Sequence, residues 1–167
     1  MSARVDESLQ KMPLRRKLLP AGEGEAVAEA MQSVLVDLID LSLQGKQAHW
    51  NLHGPHFRAV HLQLDEIIDS LREGSDEVAE RIVTIGFTPD GRASTVAERS
   101  TLDQFPEGAL TVEDAIHFVS DRLAGVITRL REAINQVDDR DPMSGDLLIG
   151  LTRGLEKHLW MLQVQEG

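Results

Sequence analysis

The chain has 167 residues, 41 % of them hydrophobic, and no cysteine, so it is long enough for one domain with a real core and carries neither disulfide nor thiolate chemistry. Its formal net charge of −11 repels nucleic acid and attracts cations. It has no uninterrupted apolar run of 18 residues and opens on no apolar signal segment, so neither a membrane helix nor secretion is expected and a cytoplasmic location is.

The charge is uneven along the chain. Residues 1–20 carry Arg4, Lys11, Arg15, Arg16 and Lys17 against Asp6 and Glu7, a net +3, which leaves −14 on the remainder. Residues 1–22 are therefore expected as a basic, flexible arm ahead of a body spanning 23–167. Lys11, Arg15, Arg16 and Lys17 are its candidate DNA contacts, although three net charges give only weak, salt-sensitive phosphate binding. A solubilising tail is the plainer role for them.

The body reads as helices. Aromatics are only 4 % of the chain, and the apolar residues are mainly Leu, Val, Ile and Ala, which favours helix packed on helix. The first helix is expected over 24–52, with Val27, Met31, Val34, Leu38 and Leu41 along one stripe and His49 inside that stripe near the helix end. Gly54-Pro55 breaks it, and His53 and His56 at the turn read as capping or surface groups. A second helix is expected from Pro55 to Ile85. Residues 86–110 form a long connection in which Thr95-Val96-Ala97-Glu98 fits a capping box, so a short helix is expected inside it. Thr111 with Glu113 and Asp114 opens a third helix running to Val137, and Asp141-Pro142 opens a fourth. His117 and His158 have no partner at ligand spacing and read as structural or exposed groups. The sum is an all-α four-helix bundle with one long crossover between helices two and three.

Chemistry concentrates on the second helix. At about 100° per residue, His61, Asp65, Asp76 and Glu80 form a band beside its apolar face. His61 with Asp65 and Asp76 with Glu80 are each spaced i, i+4, which stacks two ligands one turn apart, and imidazole with carboxylate suits iron, manganese or zinc. Asp65 and Asp76 lie about 16 Å apart along the helix, too far to share one ion within it. The numbering offers a solution. His61 and Glu80 sum to 141, as do Asp65 and Asp76, so a two-fold axis near residues 70 and 71 lays the helix antiparallel on its own copy and creates two equivalent sites. Single carboxylates on a helix flank are usually a solvated face, and Glu66, Asp69, Glu73 and Glu77 read that way.

KQAHWNLHGPHFRAVHLQLDE, followed by SDEVAERI, with SDRL in helix three and LEKHLWML in helix four, resembles the Dps family of mini-ferritins over essentially the whole body. His-Trp-Asn followed by Phe-x-x-x-His-x-x-x-Asp carries the resemblance most specifically. The Glu-x-x-His mark of ordinary ferritins is absent. The resemblance implies a ferritin-like bundle assembled into a hollow homo-dodecamer from two-fold dimers. It implies oxidation of Fe(II) by hydrogen peroxide, or by dioxygen, and storage of the ferric mineral, which protects DNA. It places ferroxidase ligands at His49, His61 and Asp65 of one subunit and Asp76 and Glu80 of its mate, with Trp50 beside the centre. Asp121 matches an iron-entry pore position, while Arg129 stands where a second acidic pore residue often follows. Relatives that bind DNA often use a Lys-rich tail, whereas this chain runs out at Gln163-Val164-Gln165-Glu166-Gly167. Nucleoid association is thus the weaker part of the resemblance. The alternatives are a DNA-compacting shell with little ferroxidase activity, or a catalase-like or zinc- or manganese-binding enzyme on the same bundle.

Overall fold

The computed structural model describes residues 9–20 and 22–166. Its helices are α1 (Glu23–Asn51), α2 (Phe57–Thr84), the short α3 (Ala93–Arg99), α4 (Val112–Val137) and α5 (Pro142–Gln163). The four long ones bundle around a core that includes Met31, Leu38, Leu64, Ile68, Leu123 and Leu155, each buried. Within the bundle α1 packs on α2 and α4, and α5 on α2 and α4. The all-α four-helix bundle with one long crossover expected from the sequence is the one observed, with α3 in the crossover. Among the described residues no helix is long and apolar enough to cross a membrane.

Two close approaches rest on glycine. A Cβ on Gly45 of α1 would stand 3.0 Å from Ile68 Cγ1, and one on Gly74 of α2 would stand 2.5 Å from Leu151 Cδ1. Both glycines lie inside helices, where they cost about 1 kcal/mol relative to alanine, and here they let α2 settle between α1 and α5.

The crossover is bound to α1 by buried polar side chains that the apolar stripe did not reveal. Gln32 donates to the Asp90 carbonyl at 2.8 Å and accepts from the Asp90 amide at 2.9 Å. Asp37, wholly buried, accepts from the Thr101 amide at 2.9 Å and the Thr101 hydroxyl at 2.7 Å. Asp40 takes the Ser100 hydroxyl, and Gln44 donates to the Asp103 carbonyl. Helix α1 is covered on several sides, so polar residues off its main stripe are buried too. A two-residue parallel pairing, β1 (Leu52–His53) with β2 (Leu110–Thr111), joins the end of the crossover to the turn after α1.

Two local expectations need correction. Helix α3 starts at Ala93 after Arg92, so Thr95 lies inside its first turn and caps nothing; its hydroxyl goes to Asp90 Oδ2 instead. Asp141 does precede Pro142 at the start of α5, but its carboxylate makes no backbone cap. Arg81 and the Ser144 hydroxyl both donate to it, the former at 2.6 Å. By contrast, Thr111 caps α4 as expected, accepting from the Asp114 amide at 3.1 Å. Residues 1–8 of the expected arm, including Arg4, lie outside the described residues. Residues 9–20 run along the body: Leu9 is buried, Met12 donates to the Gly86 carbonyl and Thr88 to that of Gln10, around an antiparallel bridge between Lys11 and Phe87.

Candidate metal centre

His49 sits in the last turn of α1 and His61 in the first turns of α2, and the tight turn between them brings the helices back face to face. Their rings stack with centroids 3.6 Å apart. Asp65, one turn beyond His61, places Oδ2 3.0 Å from His49 Nε2. One ligand atom from each of the three residues falls within 4.8 Å of the others, the only such group found among the described residues. Phe57 closes the side of His61, with ring centroids 5.0 Å apart.

Two details suit this cluster to a cation. His61 Nδ1 lies 3.1 Å from the His49 carbonyl, which can only accept, so Nδ1 is the donor and, in the neutral ring, Nε2 carries the lone pair. This is the arrangement in which a backbone carbonyl fixes the tautomer of a metal-ligating imidazole. His49 is buried, and among the described residues Nδ1 has no hydrogen-bond partner, while Nε2 faces only Asp65 Oδ2 at 3.0 Å. A buried imidazole in that condition forfeits about 1–3 kcal/mol, which a cation between it and Asp65 would recover.

Lys46, one turn before His49 on α1, was not singled out by the sequence. Its ammonium lies 2.5 Å from Asp65 Oδ1. That hydrogen bond holds the Asp65 carboxyl below its ordinary range; burial opposes it and His49 adds to it. The carboxylate is thus kept ionised and available as a ligand.

Asp76 and Glu80 lie further along α2, exposed, and do not join the cluster. Asp76 lines a shallow surface groove with Leu35, Arg72 and Pro89, and Glu80 a second with Asp146 and Leu151. One chain therefore assembles three of the five expected ligands. Trp50, next to His49 in the last turn of α1, is 70 % exposed. Asp121 is exposed on α4 with Oδ2 3.5 Å from His117 Nε2, so His117, expected to have no partner at ligand spacing, has a carboxylate one turn away. Arg129, expected near the pore, points toward the crossover anchor, its Nε 3.7 Å from buried Asp37, and pairs with Glu132 at 2.9 Å. Lys11, Arg15, Arg16 and Lys17 are exposed. His53 and His56 are exposed at the turn, and His56 precedes α2 in a left-handed conformation without capping it. His158 is half-buried, and burial holds it below its ordinary range.

A ferritin-like domain model matches residues 28–166. A DNA protection during starvation protein of Agrobacterium fabrum is 36 % identical over 151 residues, 89 % of this chain and 93 % of that one. The fine tangled pili major subunit of Haemophilus ducreyi is 37 % identical over 145 residues, 87 % of this chain and 77 % of that one. Among solved structures, Mycobacterium smegmatis Dps superposes with a TM-score of 0.87 at 33 % identity, covering 91 % of this chain and 92 % of that one. Dps from Microbacterium arborescens, solved in a high iron form, gives 0.85 at 32 %, covering 90 % and 98 %.

Proposed function

Since the chain belongs to the Dps family of ferritin-like proteins, we propose that it is a ferroxidase whose active site is shared between two copies related by a two-fold axis. The family supports iron storage and DNA protection in general. In the specific reaction proposed here, Fe(II) is the substrate. His49, His61 and Asp65 of one copy bind it together with Asp76 and Glu80 of the other. Two Fe(II) ions each give one electron to one hydrogen peroxide, the O–O bond breaks, and two protons complete two waters. Because both electrons arrive together, no hydroxyl radical is released. Dioxygen is the second oxidant. Ferric iron then collects as mineral inside a hollow homo-dodecamer, with Asp121 at the entry pore and Trp50 covered at the inter-subunit centre. DNA contact, where it occurs, runs through Lys11, Arg15, Arg16 and Lys17, in the cytoplasm at the nucleoid.

The observation that supports this most directly is the incomplete centre. Buried His49 faces an ionised Asp65 and has no other polar partner among the described residues, and two further carboxylates at ligand spacing stand exposed on the same helix, out of reach in one chain. The test is Fe(II) oxidation by hydrogen peroxide in wild type and His49→Ala/Asp76→Ala, with native mass. Fast oxidation in a dodecamer, lost in the variant, is expected. A dodecamer in which both oxidise iron equally slowly would make DNA compaction the leading function.

A further inference from the structure

Asp69 and Arg72 lie between the two halves of the proposed centre on α2. Both are exposed, and neither forms an ion pair among the described residues. Counted from His61 at about 100° per residue, Arg72 falls near 20°, Asp65 near 40°, Asp76 near 60°, Asp69 near 80° and Glu80 near 100°. All six residues share one band centred near 50°, and Asp69 and Arg72 sit symmetrically about its middle. Their numbers also sum to 141. An antiparallel copy that sets His61 against Glu80 therefore sets Asp69 against Arg72, and does so twice.

The electrostatics of that face give the pair a purpose. In the metal-free state the same packing opposes Asp65 to Asp76 at two places, each about 8 Å along the helix from the axis. Lys46 compensates only Asp65. Something other than iron must offset the remaining repulsion if the two copies are to meet before iron arrives. Asp69 and Arg72, the innermost charged residues, are the opposite charges available for that.

We infer that Asp69 and Arg72 form two reciprocal ion pairs across the two-fold axis, and that these hold the antiparallel register of a second copy in the absence of metal. The inference rests on the shared-site proposal and adds to it a metal-independent contact. A slip of one turn breaks both pairs: in one direction Asp69 meets Asp76 and Arg72 meets Glu73, and in the other Asp69 meets Ile68 and Arg72 meets Asp65. Charge pairing of this kind supplies orientation more than raw affinity. Because the contact is isologous, one substitution per chain alters it twice.

The test uses the full chain in chelator-treated, metal-free buffer, with native mass followed over a dilution series and helical content checked by circular dichroism. Asp69→Arg and Arg72→Asp are each expected to weaken pairing of the chains by about tenfold or more, because like charges then face each other twice. The double variant Asp69→Arg/Arg72→Asp restores opposite charges and is expected to return to wild-type pairing. Addition of Fe(II) is expected to recover part of the pairing in the single variants by neutralising Asp65 and Asp76. Single variants that pair as wild type does, or a double variant no better than the worse single, would overturn the inference. The shared site is judged separately, by co-assembly of His61→Ala with Glu80→Ala chains. Recovered oxidation there, with unaffected pairing in the charge-reversed variants, would leave the shared site standing and remove the ion pairs.

Discussion

His49 is a buried imidazole whose only polar partner among the described residues is the Asp65 carboxylate, which Lys46 keeps ionised. Outer-shell partners of metal ligands typically change affinity or activity 10–100-fold, so loss of a ligand itself should exceed that. His49→Ala and Asp65→Ala are each expected to slow the initial oxidation of Fe(II) by about 100-fold or more, with helical content unchanged; a fall of less than about tenfold in both would remove the cluster from the chemistry. Lys46 has its own readout. Its hydrogen bond is the largest influence lowering the Asp65 pKa beneath the ordinary 3.8. Lys46→Met should raise it, as read by carboxyl carbon NMR titration of the metal-free protein, and an unmoved or lower value would contradict that cause. His61 and Asp65 were legible in the sequence because i, i+4 spacing on an amphipathic helix is a periodic signal. Lys46 was not, because a lysine on a helix normally reads as solvated surface, and only the return of α2 alongside α1 brings Asp65 to it.

The crossover and the α5 start depend on carboxylates whose roles periodicity could not assign. Asp37 is wholly buried and accepts both bonds of Thr101, with Arg129 beside it. Asp37→Ala leaves the Thr101 donors and the Arg129 charge without it and is expected to cost about 3 kcal/mol, with faster amide exchange over residues 100–102 than elsewhere in the bundle. Equal stability of the variant would show the anchor to be dispensable. Burial alone would push the Asp141 carboxyl up, but hydrogen bonds from Arg81 and Ser144 outweigh it and hold the group below 3.8. A carboxylate lowered by folding stabilises the fold above its unfolded pKa, and that contribution is lost as pH falls through the lower folded value. Asp141→Asn should therefore lower stability at pH 7 by about 2 kcal/mol and flatten the acid limb of the stability curve below about pH 4; an unchanged acid limb would contradict it. The long helices were readable because apolar residues recur at helical period. The capping box at Thr95 misled because Ser/Thr and Glu three residues apart also occur inside a helix turn. The two-residue strand pairing at Leu52 and Leu110 carries no sequence signal at its length.

The whole molecule is where the sequence said most and a single chain says least. The numerical symmetry of His61 with Glu80 and Asp65 with Asp76 points to a second copy, and the folded chain leaves Asp76 and Glu80 away from the other three ligands. Under the proposed two-fold pairing the face is satisfied by another copy, and packing within one chain does not complete the centre. The exposed Trp50 and Leu43 on α1 and Leu62 on α2 form apolar surface of the kind that assembly covers.

The most direct measurement co-expresses His61→Ala and Glu80→Ala chains and follows Fe(II) oxidation by hydrogen peroxide, with mass spectrometry verifying that the chains mix. Each variant alone should be inactive, because every site lacks a ligand. In random mixtures half the dimers are mixed, and each mixed dimer carries one intact site and one doubly damaged site. About one quarter of the wild-type activity is therefore expected to return. Mixed assemblies no more active than either parent would contradict a site shared across the two-fold axis.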